Sequence, residues 1–245
     1  MQTEYQSIFE RSEQKYLLQE AQYTALEQAM WPHMQPDSYG MTTIYSLYFD
    51  TPDYRLIRTS LEKPVYKEKL RLRCYGRPDS ESTAFIELKK KYDGVVYKRR
   101  IEMPYEAAMQ YLCGHLKLRE MPQILQEVEW VRHFYGMLQP AMVLTYDRVA
   151  WFGRQEPALR ITFDRNIRWR TAQLELSRGA EGSMLLWEGQ RLMEIKALRA
   201  LPLWLVKAMG ELAIYPVSYS KYGRAYEQMR GGRHTGEEQS AEEDL

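Results

Sequence analysis

Polar and apolar side chains alternate with a period of two along much of this chain, the spacing of a strand with one buried face. The alternation predicts strands over 7–18, 42–50, 65–75, 83–91, 94–103, 142–152, 158–164 and 184–196, with 167–169 continuing the seventh. Ala21, Ala25, Leu26, Ala29 and Met30 recur at helical spacing and predict a helix over 19–34. Further helices are expected at 53–60, 104–112, 124–136, 202–212 and 220–229, the second of these opened by Pro104. Tyr92-Asp93-Gly94 carries a hairpin signal between two of the strands. About eight to ten mostly antiparallel strands with helices between them predict an α+β fold. Its expected form is a closed antiparallel β-barrel with flanking helices. Residues 1–230 are expected to form one domain, and the acidic, aperiodic stretch 231–245 a disordered tail.

The polar faces of these strands are charged, and many of the charges are positive. Residues i and i+2 of a strand share a face. Glu13/Lys15, Arg71/Arg73, Glu87/Lys89/Lys91, Lys98/Arg100/Glu102 and Glu194/Lys196 are such sets, joined by Arg160 with Asp164 and by the single Arg148. In most sheets such residues are simply the solvated face. The clustered cations of Arg71-Leu72-Arg73 and Lys98-Arg99-Arg100 suggest the reverse, a barrel with a wet lumen. Cations crowded into a cavity repel one another and lose hydration unless an anion fills the space. On pattern alone both readings stand.

Composition narrows the classes. Hydrophobic residues make up 44% and charged residues 27%, as in a folded protein. The net charge of +1 leaves no broad basic surface for nucleic acid, so any basic feature is local and balanced elsewhere. Cys74 and Cys113 lack metal-ligand spacing and fit a reducing cytosol. No leader and no apolar run near 18 residues is recognised, so a cytoplasmic protein is expected. The phosphate signatures G-x-x-x-x-G-K-[ST] and G-x-G-x-x-G are missing, as are G-x-S-x-G and H-E-x-x-H. His33, His115, His133 and His234 are scattered. The charged strand faces remain the one rich constellation. Arginine forks suit phosphate oxygens, and Glu13 and Glu194 could hold a hard divalent cation, Mg²⁺ or Mn²⁺, with phosphate completing its shell. Phosphoryl transfer needs little beyond positioning and charge neutralisation.

An ordered set of short motifs then gives a resemblance. It comprises Phe9-Glu10-Arg11-Ser12-Glu13-Gln14-Lys15-Tyr16-Leu17, Leu47-Tyr48-Phe49-Asp50-Thr51, Lys69-Leu70-Arg71-Leu72-Arg73-Cys74-Tyr75-Gly76 and Ile86-Glu87-Leu88-Lys89-Lys90-Lys91. It continues with Tyr146-Asp147-Arg148, Arg160-Ile161-Thr162-Phe163-Asp164, Met193-Glu194-Ile195-Lys196 and Tyr219-Ser220-Lys221-Tyr222. Over roughly 7–228 the chain resembles the polyphosphate polymerase domain of vacuolar transporter chaperone (VTC) complexes, a branch of the triphosphate tunnel metalloenzymes of the CYTH-like superfamily. The resemblance implies a tunnel, a divalent metal (Mn²⁺ or Mg²⁺), and transfer of the terminal phosphate of ATP to a growing polyphosphate chain. Lys15, Arg71, Arg73, Lys89, Lys98, Arg148, Arg160 and Lys221 match the family's phosphate-binding residues. Glu194 matches its metal carboxylate and Ser220 its phosphate-contacting hydroxyl. Lys196 is placed with Ser220, Lys221 and Tyr146 around the substrate, although a structural tyrosine in a strand is the plainer role for Tyr146.

Two departures stand out. The superfamily opens with Glu-x-Glu-x-Lys, but Arg11 occupies the first position, which argues against a water-activating triphosphatase. Ser218 stands where the eukaryotic pattern has a lysine. The expected function is an ATP-dependent polyphosphate polymerase. The alternatives are an inorganic or nucleoside triphosphatase of the same fold, or a non-catalytic polyphosphate-binding module. The expected partners are ATP and polyphosphate, not nucleic acid, with a membrane protein to bring the chain to the inner face of a membrane if it works there.

Overall fold

In the computed structural model, residues 12–93, 95–119, 121–198 and 200–231 are described. Ten strands form one sheet: β1 (Ser12–Leu18), β2 (Met34–Pro36), β3 (Thr42–Asp50), β4 (Tyr66–Tyr75), β5 (Thr83–Tyr92), β6 (Val95–Pro104), β7 (Gln139–Gly153), β8 (Arg160–Arg170), β9 (Ser183–Met184) and β10 (Arg191–Ala197). The helices are α1 (Glu20–Met30), α2 (Arg55–Leu61), α3 (Tyr105–Leu112), α4 (Gln123–Tyr135), α5 (Leu203–Glu211) and α6 (Lys221–Met229). The strand order is β1-β10-β8-β7-β3-β4-β5-β6, antiparallel throughout, with β2 on β7 and β9 on β8.

The alternation explains why the sheet is curled inside out. On β4, Leu70, Leu72 and Cys74 are buried, and on β5 so are Ala84, Ile86 and Leu88. They meet Ala108 and Leu112 of α3 and Leu125, Val128 and Val131 of α4 in one core. Tyr16, Leu18, Ile161, Phe163, Met193 and Ile195 form a second core with Leu26 and Met30 of α1 and Leu205 of α5. Each fully buried aliphatic side chain contributes about 1.5–3 kcal/mol, so these two cores fix which face is convex. The charged faces are left on the concave side. A third core around Ile44, Met142, Leu144, Ile167 and Tyr222 seats α6 against that concave face.

Several boundaries differ from expectation for local reasons. The first helix stops at Met30 instead of residue 34, because Pro32 has no N–H to continue the hydrogen-bond ladder beyond the Trp31 cap. Met34–Pro36 then pairs with β7 as an extra strand. The region 184–196 divides into β9 and β10 around a turn closed by a Gln190 N–H to Trp187 carbonyl bond, with Gly189 at φ +80°. The segments 158–164 and 167–169 are one strand, β8, carrying a bulge where Asn166 adopts φ +51°. Residues 7–11 of the first expected strand, Gly94 of the hairpin signal and the tail from 232 lie outside the described residues.

The barrel is not fully closed. β1 and β6 are the two ends of the strand order and do not pair. The outer edge of β1 is occupied instead by 216–217, where Val217 donates its N–H to the Lys15 carbonyl at 2.7 Å and Tyr16 bridges Pro216. That edge is no longer free for β6. Side chains span the seam where backbone does not.

Candidate functional site

Because the even positions of β4 and β5 are committed to the convex core, Arg71, Arg73, Glu87 and Lys89 project into the concavity. The same rule carries Glu13 and Lys15 inward from β1, Lys98 from β6, Tyr146 and Arg148 from β7, Arg160 and Asp164 from β8, and Glu194 and Lys196 from β10. Every site residue read from the sequence lies on this one surface or at the start of α6.

Two buried carboxylates organise the cations. Glu87 is 1% exposed, and its Oε2 accepts from Arg71 Nε at 2.7 Å and Nη2 at 2.6 Å. Lys98 Nζ stands 2.6 Å from Glu87 Oε1, and Arg73 Nη1 3.7 Å from Oε2. Burial opposes ionisation of Glu87, but Arg71, Arg73 and Lys98 overcome it and hold the carboxyl at about 2. Arg73, itself 6% exposed, donates to Ser46 Oγ at 3.3 Å and to the Tyr146 hydroxyl at 3.1 Å. Arg71 donates to the Tyr48 hydroxyl at 3.0 Å. Burial would raise the Tyr48 phenol, yet Arg71, Arg73 and Lys69 pull it down to about 8.

Asp164, 0% exposed, is the second anchor. Arg148 grips it through both oxygens at 2.6 and 2.8 Å, and Lys221 Nζ meets Oδ2 at 2.5 Å. Burial penalises the charge, and Arg148 with Lys221 more than offsets that penalty, so the carboxyl lies below its usual range. The Tyr146 side chain lies between the two clusters, with Arg148 5.2 Å and Lys221 4.6 Å from its ring centroid and Arg73 donating to its hydroxyl. Tyr146 is thus a spacer within the cation array.

Around the seam the pairings are looser. Glu13 lies 3.6 Å from Lys15 and 3.9 Å from Lys89, so it bridges β1 to β5. Lys15 also donates to the Tyr219 carbonyl at 2.9 Å. Its ammonium is held below the usual lysine range by burial, with Glu194 and Glu13 opposing. Ser220 caps α6, accepting from Gly223 N–H and from Lys69 Nζ, both at 3.1 Å. Arg160 stacks over Phe152 at 5.0 Å, and its buried Nε has no hydrogen-bond partner among the described residues.

The donor set for a metal is spare. Glu194 meets Lys196 at 2.8 Å, and burial, which would raise its carboxyl, is overcome by Lys196, Lys221 and Arg148, which leave it well below the usual range. The β1–β10 register sets Glu13 opposite Lys196 and Glu194 opposite Lys15. Among the described residues no group of three or more His, Cys, Asp or Glu could enclose a metal. Two carboxylates suit a hard cation when phosphate oxygens supply the remaining ligands.

Reading the sequence for roles passed over Lys69, Tyr48, Ser46, Glu87 and Asp164. Lys69 was legible as the position two before Arg71. The carboxylates were visible as members of charged sets, but their function as counter-ions depends on partners in other strands.

Comparison with known proteins bears on the fold and the family. Among solved structures, a candidate adenylate cyclase from Bacillus halodurans superposes with a TM-score of 0.52 at 14% identity, over 85% of this chain and 92% of that one. An adenylyl cyclase candidate from Hippeastrum, described as having a dominant triphosphatase activity, gives a TM-score of 0.45 at 17% identity, over 87% and 95%. At such identity the first likeness is one of fold. No curated protein matches the chain. The family model of the VTC domain matches residues 10–230, nearly all of the described fold. The chain therefore belongs to the VTC domain family.

Proposed function

We propose that this protein is an ATP-dependent polyphosphate polymerase. One observation carries the reading: arginine and lysine tips from seven strands and a helix start converge on one concave surface, preset by Glu87 and Asp164. Arg71, Arg73 and Lys98 would hold the triphosphate of ATP, and Arg148, Arg160, Lys196 and Lys221 the neighbouring phosphates, with Lys15, Lys89 and Ser220 along the seam. A terminal oxygen of the chain attacks the γ-phosphorus. A new P–O–P bond forms, the bond from the γ-phosphorus to its bridging oxygen breaks, and ADP leaves with that electron pair. The attacking phosphate is already anionic, so no general base is required. Glu87, ionised and surrounded by cations, is a counter-ion and not an acid–base group. The guanidinium groups spread over the transferring oxygens as charge builds in the transition state.

Glu194 and Glu13 would hold a Mg²⁺ or Mn²⁺ ion, which when bound supplies further neutralisation of phosphate oxygens. Among the described residues no helix is long and apolar enough to cross a membrane. We place the reaction in the cytoplasm, where ATP is plentiful, with a membrane-protein partner bringing it to the inner face of a membrane.

Incubation of the purified protein with ATP and Mn²⁺, followed by gel separation of phosphate polymers, tests the reading. Long polymers are expected. Orthophosphate alone would assign a triphosphatase, and tight polymer binding without turnover a binding module.

A further inference from the structure

The cation array extends past the Glu87 cluster along β4 and β5, toward the turn between β5 and β6. There the register sets like charges face to face: Lys69 opposite Lys89, and one step further Lys67 opposite Lys91. All four are odd positions in line with Arg71 and Glu87, on strands whose Leu70 and Leu88 are core, so they continue the concave face. Directly opposed like charges on neighbouring strands destabilise a sheet. A counter-ion would relieve this, as Glu87 does for Arg71 opposite it. Yet Lys67, Lys69 and Lys91 have no carboxylate within 4.0 Å among the described residues, and Lys89 has only the loose Glu13 contact at 3.9 Å. The repulsion is felt: burial first, then Lys91, Lys63 and Lys89, lower the Lys67 ammonium. Lys67 is steadied by one bond to the Ser60 carbonyl at the end of α2, 3.2 Å away, which leaves its other two protons free to donate.

Uncompensated like-charge pairs on one face, about 7 Å apart along the strand, fit a linear ligand with regularly repeated negative charge. We propose that Lys67 and Lys91, following on from Lys69 and Lys89, form a track that binds the body of a polyphosphate chain beyond the phosphates held at the reacting centre. This rests on the polymerase reading and adds to it a site for the polymer alone. Its consequence is retention: a chain held on the track stays with the enzyme between additions, so products are long.

The test is a binding comparison that needs no turnover. Wild type and Lys67→Gln/Lys91→Gln are titrated with inorganic tripolyphosphate and with long-chain polyphosphate, and thermal melting checks the fold. The double variant should bind tripolyphosphate within about twofold of wild type but long chains at least tenfold more weakly, since a charge-assisted contact carries roughly that factor. Its salt dependence for the long chain should also be shallower. Lys67→Arg/Lys91→Arg should restore long-chain binding. Equal loss for both ligands, or no loss for either, would overturn the track. Equal competition by single-stranded DNA would overturn polyphosphate as its occupant. Failure of wild type to bind either phosphate would instead strike at the tunnel reading itself.

Discussion

Replacing Glu87 by glutamine removes one negative charge and almost no volume, and it leaves Arg71, Arg73 and Lys98 facing one another without a counter-ion. The Glu87 carboxyl is lowered from 4.5 to about 2, the net by which these partners outweigh the burial that opposes its ionisation. At 1.36 kcal/mol per pKa unit this is about 3 kcal/mol, within the range for breaking a buried ion pair by removing one partner. Because the folded-state value is depressed, the contribution is fully present above the unfolded value near 4.5. It is lost as pH falls through about 2. Urea unfolding should therefore show Glu87→Gln less stable by about 3 kcal/mol at pH 7. The gap should narrow as pH falls from about 5 toward 2. Tripolyphosphate should stabilise the variant more than wild type, since the released cations gain a substitute anion. A deficit below about 1 kcal/mol with an unchanged pH slope would show that Glu87 does not organise the cluster.

Three further outcomes follow from the same geometry. Arg73→Ala and Lys89→Ala should each abolish polymer formation and weaken tripolyphosphate binding by about 1.5–3 kcal/mol while the fold persists, as titration calorimetry and melting would show. Unfolding of both variants would recast them as structural. Burial, with the neighbouring Lys89, Lys15 and Lys67, lowers Lys69 to about 8, and the Tyr48 phenol also ionises near 8. Tripolyphosphate affinity should accordingly be full below that pH and fall as pH rises through it, and Lys69→Met/Tyr48→Phe should erase the inflection. Asp50 accepts the N–H groups of Thr51, Leu56 and Ile57 and the Tyr222 hydroxyl, tying α2 and α6 to β3. Asp50→Ala should cost about 3 kcal/mol in urea unfolding, and a loss under about 1 kcal/mol would deny it that role.

What the sequence determined by itself is the two-faced character of each strand. Leu70 and Leu72 between Arg71 and its neighbours, or Ile86 and Leu88 around Glu87, can sit in a core only if the charges point the other way, and that is a property of a period of two. The helix starts after Pro104, Pro122 and Pro202 are equally local. The tertiary structure decided which face is concave, because helices α1, α3, α4 and α5 cover the apolar side and must be brought from distant segments. It decided the open seam, since 216–217 takes the β1 edge. It also decided that Glu87 and Asp164 are counter-ions and that Lys67 and Lys91 have none within 4.0 Å among the described residues. Those assignments depend on strand register across separations of about 16 residues and more, which no local pattern encodes.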